Sequence, residues 1–214
     1  WSPDGRQIAF YWKGENEFGY SAIQPDGSGL RKIVTAAWWA CWSSDSRWLY
    51  YQDQRAAPRG HLLKIPLDGG KPVVVRDEPA TMPAVSPDGK TLYFAVEVAK
   101  ATGAVDYEIR AANPENGPSR LVARLAARRM PESGRFHPTI SPDGRWLALP
   151  LADGVATNIW ALSTEDGAMR RITDFGDRAT FMTRRVSWSP DGRYIYAAVS
   201  EGDADIVSLD GLRP

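Results

Sequence analysis

Short apolar runs recur along the chain, and each run directly follows a small polar segment. The first run is Gln7 to Phe10, and similar runs, either alternating or fully apolar, follow at residues 48–51, 91–94, 146–149 and 194–197. Alternation with period two, together with many aromatic and branched residues, is typical of β-strands. The pattern therefore predicts an all-β protein built from repeats.

The polar segment before each run has the composition of a tight turn. It reads Ser-Pro-Asp-Gly in four copies and Ser-Ser-Asp-Ser in the second copy, where we expect a looser turn. Proline presets φ, aspartate can bond its own backbone two residues on, and glycine accepts positive φ. Each segment therefore reverses the chain between two antiparallel strands. We interpret its acidic residues as structural; they are Asp4, Asp45, Asp88, Asp143 and Asp191.

The spacing of these turns predicts a β-propeller. The five aspartates lie 41 to 55 residues apart, which suits one four-stranded antiparallel blade per repeat with insertions in the longer repeats. A third strand that ends in an Asp-Gly or Asn-Gly turn is predicted in every repeat, the last of them at residues 205–209. We expect a single propeller domain over residues 1–214, with blades at 1–36, 37–80, 81–134, 135–182 and 183–214.

The first and last blades are each one strand short in this sequence. Blade 1 shows its second to fourth strands and blade 5 its first to third, so one continuous segment upstream of Trp1 would complete both. Five blades is the simplest expectation, and a longer upstream segment would give six or more. Because exposed sheet edges pair with other chains, we expect self-association through the seam between blades 1 and 5, or a segment supplied from elsewhere.

Two segments carry a resemblance to a known repeat family. Trp188 to Ala197 reads Trp-Ser-Pro-Asp-Gly-Arg before an apolar strand, and Asn158 to Thr173 contains Ile-Trp-x-Leu, Asp-Gly and Arg-x-Ile-Thr. This pattern resembles the WD40-like (PD40) repeat of the bacterial TolB-type propellers. The resemblance implies a module that holds a protein or a small ligand at its channel mouth, in a bacterial periplasm or on the extracellular face. Such repeats also occur in propellers attached to kinases, regulators and peptidases, so the sensor domain of a larger kinase or regulator is an alternative.

Composition and charge argue against several other classes of function. Lys+Arg and Asp+Glu number 26 each, whereas nucleic-acid binding usually requires a basic excess. No apolar stretch approaches the roughly 20 residues of a membrane span, and Cys41 is the only cysteine, so no internal disulfide can form. With only His61 and His137 available, and no phosphate, dinucleotide or common hydrolase motif, we expect no metal site and no cofactor.

The innermost strands line the central channel, which is the one concave site that a propeller guarantees. Those strands offer aromatic and cationic groups but no carboxylate. Stacking and a cationic hydrogen-bond donor suit a polar or anionic ligand. The predicted ligand-binding residues are Trp38, Trp39, Met82, His137, Arg184 and Arg185. His137 is also interpretable as a channel-lining histidine with a purely structural hydrogen bond.

A carbohydrate-active enzyme is the alternative from a different class. Glycoside hydrolases use two carboxyl groups about 5 to 9.5 Å apart, and five-bladed propellers are known hosts for that chemistry. Acidic residues outside the repeated turns are the weak catalytic candidates: Asp53, Glu97, Asp106, Glu108 and Glu132. Since such an enzyme would have to bring both acids in from loops, we expect no channel-facing pair at this spacing and favour a binding protein.

Overall fold

The computed structural model describes residues 1–55, 60–101, 105–126, 129 and 136–202, apart from the side chains of Thr183 and Arg184. Within these residues the chain forms five antiparallel sheets, and in each sheet the strands pair in chain order. The sheets are the blades of a five-bladed β-propeller, so the predicted all-β propeller fold is confirmed. The third strand predicted for blade 5, at residues 205–209, lies outside the described residues.

The strand bounds follow the repeats. Blade 1 contains β1 (Ile8–Lys13), β2 (Phe18–Ile23) and β3 (Arg31–Thr35). Blade 2 contains β4 (Ala37–Trp42), β5 (Trp48–Asp53), β6 (His61–Pro66) and β7 (Val73–Arg76). Blade 3 contains β8 (Thr81–Val85), β9 (Leu92–Ala99), β10 (Val105–Ala112) and β11 (Ser119–Leu125). Blade 4 contains β12 (Thr139–Ile140), β13 (Trp146–Asp153), β14 (Ala156–Ser163) and β15 (Met169–Arg171), and the described part of blade 5 contains β16 (Thr180–Trp188) and β17 (Ile195–Glu201).

Each signature turn is held by a serine and an aspartate acting together. In blade 4 the buried Ser141 donates its hydroxyl to Asp143 Oδ1 at 2.5 Å and accepts a hydrogen bond from the Trp146 backbone N–H at 3.0 Å. Asp143 Oδ1 also accepts from the Arg145 backbone N–H at 3.0 Å. The same three bonds occur in the other four turns. The turn thus satisfies its own polar groups, which fixes the hairpin between the first and second strands.

The cores lie between neighbouring blades. Successive residues of a second strand point to opposite faces of its sheet. In β5, Tyr51 packs in one cluster with Ala22 of blade 1, whereas Tyr50 packs in another with Phe94 of blade 3. The apolar second strands of the sequence therefore fill both interfaces of a blade, and this burial positions the first strands around the channel.

Candidate functional site

The inner strands are irregular where they pass the channel. Register shifts interrupt the pairing of β4, β8 and β16 at residues 38–41, 81–84 and 182–186. Trp39 and Met82 sit in these irregular stretches and adopt φ of 54° each, a conformation that is uncommon for large side chains. A bulge of this kind redirects the side chains of its strand, and here it changes what the inner strands present to the channel.

Arg185 connects three blades across the channel. One guanidinium nitrogen, Nη2, donates to the backbone carbonyl of Ala40 in blade 2 and lies 2.7 Å from Nε2 of His137 in blade 4. The backbones of His137 and Arg185 also form a parallel β-bridge. Arg185 is exposed, and no carboxylate among the residues that the structure describes forms an ion pair with it.

The contacts of His137 fix its tautomer. Because arginine can only donate, Nε2 of His137 accepts from Arg185, and the ring proton resides on Nδ1, which donates to the Pro138 carbonyl at 3.1 Å. Burial of the ring, and secondarily the charge of Arg185, hold the pKa of His137 well below its usual value. The imidazole is therefore a neutral acceptor that orients the guanidinium.

Aromatic rings surround this contact on one side. A cavity of about 260 Å³, here called the aromatic cavity, is lined by Ala9, Tyr11, Tyr20, Trp38, Trp39, His137 and Arg185. Trp39 lies against both Trp38 and His137, with ring centroids 6.1 and 6.0 Å apart. The cavity thus combines stacking surfaces with one cationic donor, which are groups of the kind that suit a flat or apolar ligand with a negative charge.

Two tyrosines of the aromatic cavity were not predicted from the sequence. Tyr11 and Tyr20 belong to β1 and β2, which are the second and third strands of blade 1 in the repeat. The Tyr20 hydroxyl accepts a hydrogen bond from the Ala40 backbone N–H at 3.2 Å. From the sequence, only the first strand of each blade is expected to line the channel. In the described residues blade 1 has no first strand, and that absence was the available signal that its other strands would line the channel.

A second cavity opens toward the signature turns. It measures about 520 Å³, is here called the turn cavity, and shares Ala9, Tyr20, His137 and Arg185 with the aromatic cavity. The remainder of its wall includes serines and prolines of the signature turns, among them Pro87 and Pro190. Since both cavities contact Arg185, an anion could reach the guanidinium from either cavity.

The predicted binding residues separate into three groups. Trp38, Trp39, His137 and Arg185 meet in the wall of the aromatic cavity. Met82 is buried in the core cluster that contains Phe136 of blade 4 and lines neither cavity. For Arg184 only the backbone belongs to the described structure, so its predicted role stays a prediction.

The candidate catalytic acids do not meet at the channel. No aspartate or glutamate in the described part of the chain lines either cavity. Glu97 is exposed on β9, and Glu132 lies outside the described residues. The other three acids form ion pairs with basic neighbours at 2.5 to 3.0 Å; the pairs are Asp53–Arg55, Asp106–Lys100 and Glu108–Arg110. The structure therefore brings no described pair of these acids together in a cavity.

The described residues also lack two other features. They contain no group of three or more His, Cys, Asp or Glu side chains that could hold a metal ion. A helix of the length and apolarity that a bilayer crossing requires does not occur among them.

The amino-acid sequence of this chain is similar to that of a known protein over one third of its length. No family model matches it. It is 37% identical to the uncharacterized peptidase YuxL of Bacillus subtilis over 71 residues, which are 33% of this chain and 10% of that protein. The chain therefore spans about a tenth of the length of this curated relative.

Solved structures support the propeller fold. A putative TolB from Agrobacterium tumefaciens superposes with a TM-score of 0.67 at 20% identity, over 97% of this chain and 70% of that one. TolB from Acinetobacter baumannii gives a TM-score of 0.63 at 19% identity, over 84% of this chain and 42% of that one. At these identities the likeness is one of fold, and the chain is a propeller with TolB-like neighbours.

Proposed function

We propose that this protein is a ligand-binding propeller whose aromatic cavity recognises an anionic group of a small molecule or of a protein. The observation that supports the proposal is the guanidinium of Arg185, which is oriented by His137 and the Ala40 carbonyl and faces aromatic walls. An exposed cation without a carboxylate partner attracts negative charge, and the aromatic rings exclude water from one side of the contact. The ligand supplies the missing counter-charge.

A binding role agrees better with the cavity than an enzymatic role does. Hydrolysis of a glycoside needs two carboxyl groups on opposite sides of one sugar, and neither described cavity wall contains one. Binding requires only the stacking surfaces and the donor that are present. A sensor domain of a larger kinase or regulator would use the same cavity in the same way. The TolB-type resemblance favours a bacterial periplasm or the extracellular face as the setting.

Benzoate is a suitable probe because it combines a flat ring with one carboxylate, and benzamide is its neutral analogue. Hydrogen bonds to charged groups contribute about 1.5–3 kcal/mol, so we expect benzoate to bind at least about tenfold more tightly than benzamide. Arg185→Gln keeps a polar side chain and removes the charge, and it should abolish this preference. Isothermal titration calorimetry measures both dissociation constants for each protein.

The matched control is Arg193→Gln, because Arg193 is an exposed arginine of the same blade that lines neither cavity. It should retain the preference for benzoate. Trp39→Ala should weaken both ligands alike, since stacking does not depend on the charge. A preference for benzoate that survives Arg185→Gln, or that disappears in Arg193→Gln, would contradict the proposed site.

A further inference from the structure

One position of the repeat is filled by a lysine in blade 2 and by alanine in three other blades. In each second strand, the residue five positions after the turn aspartate pairs with a residue of the third strand. This partner is Ala22, Ala111 and Ala161 in blades 1, 3 and 4. In blade 2 it is Lys64, which pairs with Tyr50. Alanine is thus sufficient for the fold at this position, and the lysine needs another explanation.

Lys64 and Tyr50 both reach a glutamate of blade 3. The Lys64 ammonium forms an ion pair with one carboxylate oxygen of Glu115, and the Tyr50 hydroxyl donates to the other oxygen. Lys64 Nζ also lies over the Trp48 ring, 4.8 Å from its centroid. The side chains of Lys64 and Glu115 are only 19% and 28% exposed. Because removing two charges from water can cost more than their attraction returns, stability alone does not explain this pair.

These side chains line a cavity between blades 2 and 3. It measures about 620 Å³ and is here called the interblade cavity. Every residue of its wall belongs to blades 2 and 3, whose four strands each are part of the described structure, and none of them lines the aromatic cavity. Its volume lies within the range of about 300–1,000 Å³ that is usual for small-molecule sites. The wall includes Trp48, Tyr50, Lys64, Asn113, Glu115 and Asn116.

The charges of the wall favour an uncharged ligand. Asp45 and Asp88 hold signature turns through their Oδ1 atoms, and Lys90 Nζ lies 4.0 Å from Asp88 Oδ2. These charges lie at the exposed side of the cavity, whereas Lys64 and Glu115 are largely covered and neutralise each other. An ionic ligand would therefore meet an already paired centre, and a polar neutral ligand would not disturb it.

The ion pair keeps hydrogen-bonding capacity for such a ligand. An ammonium has three donors and a carboxylate has about four acceptor positions, of which the bonds among the described residues use one and two. Burial, followed by the hydrogen bond and the charge of Glu115, raises the pKa of Tyr50, so its phenol stays protonated and holds the carboxylate in place. A donor beside an acceptor matches two neighbouring hydroxyl groups, one of which accepts from Lys64 while the other donates to Glu115.

We propose that the interblade cavity binds an uncharged sugar in its pyranose form, as a second site besides the aromatic cavity. Trp48 packs against the C–H groups of the sugar ring, and Lys64 and Glu115 hold two neighbouring hydroxyl groups. Asn113 and Asn116 supply amide donors and acceptors for the remaining hydroxyl groups. The role is binding and not hydrolysis, since two of the three acids in the wall hold signature turns.

The methyl glycosides of glucose, galactose and mannose are suitable probes, because they are uncharged and fixed as pyranosides. The methyl glycosides of the corresponding uronic acids and amino sugars are their charged analogues. We expect at least one neutral glycoside to bind, and to bind more tightly than both of its charged analogues. Titrations followed by saturation-transfer difference NMR measure the dissociation constants.

Two substitutions test the ion pair. Lys64→Ala introduces the alanine of the other blades, and Glu115→Gln keeps the shape of the side chain and removes its charge. Each removes a hydrogen bond to a charged group, so each should weaken binding of the neutral glycoside at least about tenfold. Circular dichroism verifies that each variant is folded, and either variant is sufficient for the test if the other does not fold.

Blade 1 provides the matched control. Lys32 forms an ion pair with Glu17 at 2.5 Å and lies 4.5 Å from the centroid of the Trp12 ring. The same three residue types thus make the same contacts there, but this cluster is more exposed and lines none of the three cavities. Lys32→Ala should bind the glycoside like the unchanged protein. Arg185→Gln should do so as well, which separates this site from the one that benzoate tests.

Three results overturn the proposal. The first is that no neutral glycoside binds, or that a charged analogue binds more tightly than its neutral parent. The second is an affinity that is unchanged in the folded Lys64→Ala and Glu115→Gln proteins, in which case the ion pair only joins two blades. The third is binding that is lost in Trp39→Ala but retained in Lys64→Ala, which would place the sugar in the aromatic cavity.

Discussion

At the scale of single residues, the channel depends on keeping His137 neutral. Its Nε2 can accept from Arg185 only while it is unprotonated, and protonation would bring a second positive charge against the guanidinium. Burial, followed by the Arg185 charge, lowers the pKa of the imidazole well below its usual value. The same contact that orients Arg185 therefore makes the folded state sensitive to acid.

This sensitivity gives a pH dependence with a definite sign. An unfolded histidine has a pKa of about 6.5 and takes up a proton as the pH falls through that value, whereas folded His137 does so only at lower pH. Unfolding then takes up a proton, so the free energy of unfolding decreases below about pH 6.5, by at most about 1.4 kcal/mol per pH unit. His137→Asn should remove this contribution. Urea unfolding between pH 7 and pH 5 measures it.

The other histidine provides the control for that measurement. His61→Asn should leave the decrease between pH 7 and pH 5 in place, because the decrease originates at His137. The turn aspartates contribute mainly at lower pH, because an unfolded aspartate has a pKa of about 3.9 and the pKa values of the folded carboxyls lie below the usual value. A pH profile that is the same for the unchanged protein and for His137→Asn would refute the neutral-acceptor role.

At the scale of elements, the signature turns could be predicted from the sequence, but the structural role of the serine in each turn could not. Pro, Asp and Gly have known roles in turns, so hairpins were predicted at all five positions. The role of the serine depends on burial and on a bond to a backbone N–H three residues after the aspartate, as in Ser141 with Trp146. That geometry appears only once the second strand folds back. The periodic recurrence of serine was its only signal.

The serine makes a testable contribution to stability. Ser141→Ala removes the hydroxyl that donates to Asp143 and leaves the Trp146 N–H without its acceptor. A buried group that loses its partner costs about 1–3 kcal/mol, so we expect the free energy of unfolding to fall by about that amount. Benzoate affinity per folded molecule should not change, because Ser141 lines only the turn cavity and does not contact the aromatic cavity, where benzoate is proposed to bind.

Ser200→Ala is the matched control, since Ser200 is an exposed serine on β17, and it should be nearly neutral. Chemical denaturation with a common m-value compares the three proteins. A Ser141→Ala protein as stable as the control would mean that the hydroxyl contributes nothing to the turn.

The sequence predicts only in part which strands and which of their residues line the channel. First strands carry Trp38, Trp39 and Arg185 to the aromatic cavity. Met82 does not follow them, because its side chain is buried in the core between blades 3 and 4. Trp39 has the same φ of 54° and lines the cavity, so neither the backbone conformation nor the residue type signals the difference. Tyr11 was not predicted because only first strands were expected to line the channel, and blade 1 has no first strand among the described residues.

At the scale of the whole molecule, the propeller is held by contacts between blades. The turn between β14 and β15 illustrates this at the outer rim of blades 3 and 4. Arg120 of blade 3 donates to the Thr164 carbonyl of blade 4 at 2.5 Å, and Gly167 lies directly against blade 3. A Cβ on Gly167 would stand 2.1 Å from the Val122 carbonyl oxygen, which is far inside contact distance. The interface therefore requires a glycine here for reasons of space.

Comparing two glycines separates this spatial requirement from backbone strain. Gly167 and Gly154 have almost the same φ, 74° and 70°, but a Cβ on Gly154 would meet no atom within 4 Å. An alanine in this left-handed region costs about 1–2 kcal/mol at either position. Gly167→Ala must also move blade 4 away from blade 3, and overpacking typically adds about 1–3 kcal/mol. We therefore expect Gly167→Ala to be the clearly less stable variant by urea unfolding, with Gly154→Ala as its control. Equal losses of stability in the two variants would show that strain in the turn, and not contact between the blades, is what selects glycine at position 167.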